Sequence, residues 1–149
     1  MKLKHINTTK PHCFYSLEDT PLKDIKFFDE SVQAGFPSPA EDYMDLDLNL
    51  NEYLVKHPSA TFCVRAVGDS MQNAGIQSGD VMVVDRSLEA KNKSIVLAVI
   101  DGEFTVKRLQ IKSKTIYLLP ENDTFSPIEI TEEMNFQIWG VVTHIIHKV

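Results

Sequence analysis

Asp101-Gly102 lies between two apolar stretches, Ile95–Ile100 and residues 103–110. Asp-Gly adopts the positive backbone angles of a two-residue turn at low cost, so this stretch is restricted to an antiparallel β-hairpin. The chain around it repeats the theme. Phe62, Val64 and Ala66 alternate with Cys63, Arg65 and Val67, which is the period of a strand. Val81–Asp85, Thr115–Leu119 and Phe136–Ile146 are further short β segments, separated by Gly, Pro and Asn turns. Together these segments predict a mainly β domain, closed or sandwich-like. One short helix is expected, capped by Asp47, running to about Lys56 with Leu50, Tyr53 and Leu54 as its apolar stripe, and stopped by Pro58.

A chain of 149 residues is about one domain's worth and can bury a sizeable core. The longest apolar runs, such as Ile95–Ile100, are far below the roughly 18 residues of a membrane span. The lysines at the N-terminus have no apolar segment behind them, so no secretory signal is expected. Cys13 and Cys63 are too far apart for a metal motif and form no disulfide framework, which fits a reducing cytoplasm. The net charge is −6, and the surplus of acid falls entirely after residue 34. Broad phosphate binding needs clustered Lys and Arg, so direct, sequence-specific DNA binding is disfavoured.

Residues 1–34 read as a flexible N-terminal arm without a sustained period, although Ile25, Phe27, Phe28 and Val32 could form a helical turn or two. Residues 35–40, Gly-Phe-Pro-Ser-Pro-Ala, read as an exposed hinge, because each proline restricts itself and the residue before it. The folded β domain then occupies residues 41–149.

The densest chemical signal is Val67-Gly68-Asp69-Ser70-Met71, followed by Gly75-Ile76 and Ser78-Gly79-Asp80. A serine just past a sharp glycine turn can hold its hydroxyl outward while backbone N–H groups face the same space, as acyl transfer requires. Taken alone, the tetrapeptide is more economically read as a turn whose Asp and Ser bond local backbone. A nucleophilic serine also needs a base. None of the five histidines stands in a triad context, and His144 and His147, three apart, face opposite sides of a strand. Lys107 is the other candidate. Alternation puts Thr105, Lys107 and Leu109 on one face of their strand, and Phe104, Val106 and Arg108 on the other, so one basic residue shares a face with core groups. A buried lysine loses part of its preference for the charged form and can act as a base, whereas a solvated one merely lays its stem on the sheet.

Gly68-Asp69-Ser70-Met71, Gly75-Ile76 and Gly79-Asp80, with Asp101-Gly102-Glu103-Phe104-Thr105-Val106-Lys107-Arg108-Leu109, resemble the LexA/UmuD family of self-cleaving Ser–Lys proteins. Gly35-Phe36-Pro37-Ser38-Pro39-Ala40, His57-Pro58-Ser59-Ala60-Thr61 and Trp139-Gly140-Val141-Val142 extend the resemblance over about residues 25 to 147. Within the family the chain looks like the polymerase-accessory branch, since 34 aperiodic residues are too few for a winged helix-turn-helix.

The resemblance implies a β-clip peptidase fold of the Peptidase S24 type, with Ser70 as nucleophile and Lys107 as general base. The backbone N–H groups of Asp69 and Ser70 would stabilise the oxyanion, and the scissile bond would be Ala34–Gly35. No metal or organic cofactor is expected. The resemblance further implies a homodimer whose self-cleavage is stimulated by RecA–single-stranded-DNA filaments in the SOS response to DNA damage. The shortened form would join a UmuC-like Y-family polymerase subunit for translesion synthesis, with the sliding clamp as a further candidate partner. A LexA-like or phage-type repressor fragment is the alternative. A type I signal peptidase shares the Ser–Lys logic but carries a membrane helix, and a pure interaction module of this fold would be expected to lose Ser70 or Lys107.

Overall fold

The computed structural model describes residues 48–149 throughout, Ala34, and the backbone of strands β1 (Lys2–Ile6), β2 (Phe14–Glu18), β3 (Ile25–Phe28) and β4 (Asp45–Leu48). Val32, the 35–40 hinge with Gly35, His12 and Cys13 lie outside the described residues. After β4 come helix α1 (Leu50–Leu54) and strands β5 (Thr61–Arg65), β6 (Val81–Asp85), β7 (Ile95–Ile100), β8 (Glu103–Lys112), β9 (Thr115–Leu119), β10 (Ile128–Glu129) and β11 (Phe136–Ile146). The mainly β expectation holds. One antiparallel sheet runs in the order β1-β2-β5-β6-β11-β7-β8-β9-β10, and β3 pairs with β4 in a second, two-stranded sheet.

The hairpin β7–β8 pairs Ile100 with Glu103 across a turn in which Asp101 (φ 49°) and Gly102 (φ 84°) both have positive φ, as a type I′ turn demands. Strand β7 is an unbroken apolar run because both of its faces are covered. Leu97 packs with Val64, Met71, Ile76, Met82 and Val84, while Val96 and Ala98 pack with Leu109 and Leu118. The long strand β11 lies in the middle of the sheet and joins its two halves by pairing with both β6 and β7.

Three local features depart from the sequence reading. The helix is shorter than expected, and its cap is Asn49, whose Oδ1 accepts from the N–H groups of Asn51 and Glu52. Asp47 instead belongs to β4, where Asp-Leu-Asp-Leu follows the period of a strand. Ile25, Phe27 and Phe28 lie in β3 rather than in a helical turn, in register with Leu48, Leu46 and Asp45. Finally, the arm contains strands. Phe14, Tyr15 and Ser16 pair with Val64, Cys63 and Phe62, so β2 extends the sheet from β5 and β1 follows it. Such pairing draws on backbone hydrogen bonds offered by a distant strand, which a local hydrophobic period does not register.

Strand β11 crosses the core at Trp139-Gly140. The Trp139 ring meets Phe104 edge-on at 4.8 Å and Phe62 at 6.4 Å, with the Arg86 guanidinium 4.9 Å from its centroid. Next to it, Gly140 lies where the register against β7 shifts. A Cβ there would stand 2.7 Å from Val84 Cγ1 and 2.9 Å from the Asp85 carbonyl oxygen, so the close approach of β11 to β6 requires glycine. Gly140→Ala should therefore cost about 1–3 kcal/mol of stability, the usual range for overpacking. Urea denaturation checks this, and an unchanged midpoint would contradict it.

Candidate active site

Ser70 sits in a loop inserted between β5 and β6. The base of the loop is closed where the Ala66 N–H donates to the Asp80 carbonyl (2.8 Å) and the Gly79 N–H donates to the Ala66 carbonyl (2.8 Å). Gly68 starts the excursion with φ 90°, a left-handed angle that a side chain would strain. Met71 and Ile76 are buried and pin the loop to the core. Between them the chain makes a tight turn, the N–H groups of Ala74 and Ile76 both bonding the Met71 carbonyl.

Lys107 reaches this loop from β8. Its Nζ donates to Ser70 Oγ at 2.9 Å, to Thr105 Oγ1 at 2.8 Å and to the Val106 carbonyl at 3.0 Å. Thr105 is within reach because residues two apart share a strand face. Lys107 is only 8 % exposed. Burial holds its amine below the ordinary lysine range, because the charged form is poorly solvated there. The neighbour Arg108 is half-buried and binds the Glu121 carboxylate and the Lys93 carbonyl. Ser70 and Lys107 border a cavity of about 150 Å³ whose apolar wall includes Met71, Ile76, Leu97 and Phe104.

Asp69 and Ser70 each have a backbone N–H with no hydrogen-bond partner among the described residues. Free donors beside a hydroxyl form the kind of site that can receive a developing oxyanion. Ala34 is exposed, and Gly35 lies outside the described residues. The described residues contain no cluster of His, Cys, Asp and Glu fit to hold a metal ion, and no helix among them is long and apolar enough to cross a membrane.

The family model that matches this sequence is "Peptidase S24-like", over residues 26–143. The chain belongs to that family. It is 54% identical over 132 residues to Protein SamA of Salmonella typhimurium, covering 88% of this chain and 91% of the relative. It is 46% identical over 136 residues to Protein MucA of Escherichia coli, covering 91% and 92%. The LexA repressor of Pasteurella multocida is 38% identical over 119 residues, which make up 78% of this chain and 56% of that protein. The chain is thus a Peptidase S24 protein of the LexA/UmuD type.

Several residues around the site gave no signal in the sequence. The Glu121 N–H donates to the Ser70 carbonyl at 2.7 Å, and the Glu121 carbonyl accepts from the Asn73 N–H at 2.8 Å. Two histidines close the ends of β6 on buried aspartates. His147 Nδ1 lies 2.6 Å from Asp80 Oδ1, and His57 Nδ1 lies 2.6 Å from Asp85 Oδ2. Residues 67 and 28 apart in sequence make these pairs, so only the fold reveals them. His144, by contrast, bonds Thr143 Oγ1 and packs at a tilt against the Tyr53 ring.

The Gln77 N–H, bonding Oδ2, is the main cause that holds the Asp80 carboxyl below the usual range; burial opposes it and His147 adds to it. Burial is the largest influence on Asp85 and pushes it up, but the Ser87 hydroxyl, His57 and the Ser87 N–H together outweigh it and the net direction is down. A carboxylate with a depressed folded-state pKa stabilises the fold above its unfolded pKa, and that stability is lost as pH falls through the folded value. The melting temperature should therefore drop on acidification below about pH 4, the range of free carboxylates. The double variant Asp80→Asn/Asp85→Asn should melt lower at neutral pH and show a shallower acid decline. An acid decline as steep as the parent's would contradict the assignment.

Proposed function

We propose that the chain hydrolyses its own Ala34–Gly35 bond, with Ser70 as nucleophile and Lys107 as general base. The observation that carries this reading is the 2.9 Å contact between Lys107 Nζ and Ser70 Oγ in a buried setting. A neutral amine has two N–H donors and one lone pair. Thr105 Oγ1 and the Val106 carbonyl take the donors, leaving the lone pair for the Ser70 hydroxyl proton. Ser70 Oγ attacks the Ala34 carbonyl carbon, and the oxyanion receives the Asp69 and Ser70 N–H groups. The Lys107 ammonium then protonates the departing Gly35 nitrogen. Water, deprotonated by the same amine, releases Ala34 from Ser70 as a carboxylate. Small residues on both sides of the bond leave the approach to Ser70 unobstructed.

The likeness to SamA and MucA over most of the chain supports a cytoplasmic SOS-response role, in DNA repair and SOS mutagenesis. On this reading the protein is a homodimer, RecA–single-stranded-DNA filaments stimulate cleavage, and residues 35–149 then serve a UmuC-like Y-family polymerase in translesion synthesis.

Incubation of the purified chain with RecA filaments, or at alkaline pH, should yield a large fragment that begins at Gly35 on N-terminal sequencing, while Ser70→Ala stays full length. Any other first residue would overturn the cleavage site. Unstimulated cleavage should speed up as pH rises from about 7 towards 10, since the reactive amine is neutral and its pKa lies below the free-lysine value near 10.4. Lys107→Arg should be inactive across that range, because guanidinium keeps its proton. Cleavage by Lys107→Arg at the parental rate would remove Lys107 from the mechanism.

A further inference from the structure

We infer that Asn122 is a positioning residue for the oxyanion site, a role that rests on the peptidase reading above. Asn122 lies in the turn after β9. Its Nδ2 donates to the Asp69 carbonyl oxygen at 2.9 Å, across 53 residues of sequence. Its Oδ1 accepts from the Thr124 N–H at 3.0 Å and from Thr124 Oγ1 at 2.9 Å. A backbone N–H can only donate, so the Thr124 contacts fix which end of the amide is oxygen and which faces Asp69.

The Asp69 carbonyl and the Ser70 N–H belong to one peptide unit. Among the described residues no peptide bond is cis, so the two groups point in opposite directions across a rigid plane. Whatever grips the Asp69 oxygen therefore aims the Ser70 N–H. That oxygen accepts from two donors, Asn122 Nδ2 and the Gln72 N–H at 3.1 Å. The Gln72 bond lies within the Ser70 loop and moves with it. The Asn122 bond comes from outside the loop and ties the plane to the body of the domain. The next peptide unit is held by the same segment, through the Glu121 N–H on the Ser70 carbonyl. Glu121 is itself anchored to Arg108, next to Lys107 on β8. One short segment thus sets the serine backbone relative to the strand that carries the lysine. A hydrogen bond to the carbonyl also polarises the amide and strengthens its N–H as a donor.

The test is self-cleavage of the full chain measured from pH 7 to 11 for the parent, Asn122→Ala and Asn122→Asp, with melting temperatures for all three. Asn122→Ala should lower the high-pH plateau about 10- to 100-fold, as misplacing or weakening an oxyanion donor does. The pH midpoint, which reports Lys107, should not move, and the fold should melt above the assay temperature. Asn122→Asp keeps both Thr124 contacts but turns an acceptor towards the Asp69 carbonyl, so its plateau should fall at least as far. It supplies the decisive comparison should Asn122→Ala fail to fold. Plateaus within twofold of the parent would overturn the role. A loss accompanied by a shifted midpoint in Asn122→Ala would also overturn it, by placing the effect on Lys107. A parent chain that does not cleave, or that still cleaves as Ser70→Ala, would refute the peptidase reading and this inference with it. A cleaving parent with an unaffected Asn122 variant would refute the positioning role alone.

Discussion

A lysine ammonium in a poorly hydrated place is an expensive group, and the site is organised around that cost. Lys107 has its Nζ surrounded by three oxygens and its stem closed in by the domain. The oxygens can satisfy either protonation state, but burial favours the neutral one. This is the property a base needs, and a surface lysine lacks it. The sheet makes it possible: β8 is held against β7 along six registered pairs, so the strand cannot rotate its lysine into water without breaking the hairpin.

The nucleophile is held with comparable firmness, although it lies in a loop. Buried Met71 and Ile76 act as anchors, the Ala66 hydrogen bonds close the base, and the 121–122 segment braces the carbonyls of Asp69 and Ser70. Asp80, at the far end of the loop, bonds both Gln77 and His147. Loops bearing reactive groups work when a rigid scaffold fixes them, and here the bracing comes from β6, β9 and the end of β11.

Much of this architecture is written in local sequence. Asp101-Gly102 specifies its turn, the run Ile95–Ile100 marks a strand covered on both faces, and the alternation through Thr105, Lys107 and Leu109 puts a cation beside core positions. Gly68 before Ser70 marks the sharp turn. What stays hidden depends on partners remote in the chain. Asn122 looks like an ordinary turn residue until Asp69 is brought beside it. His57 and His147 look like surface histidines until the ends of β6 supply their aspartates. The arm strand β2 has no strong period and finds its partner at the remote β5 edge, while Asp47 pairs with Lys26 of β3 and leaves Asn49 to cap the helix.

The central claim is that Lys107 is neutral at a pH where other lysines are charged. Its side chain can be titrated directly by NMR, following the Lys Cε resonances of the Ser70→Ala chain so that no cleavage intervenes. The account predicts one lysine signal, absent in Ser70→Ala/Lys107→Arg, that titrates clearly below the free-lysine value near 10.4. A Lys107 signal that titrates together with the exposed lysines would contradict the account.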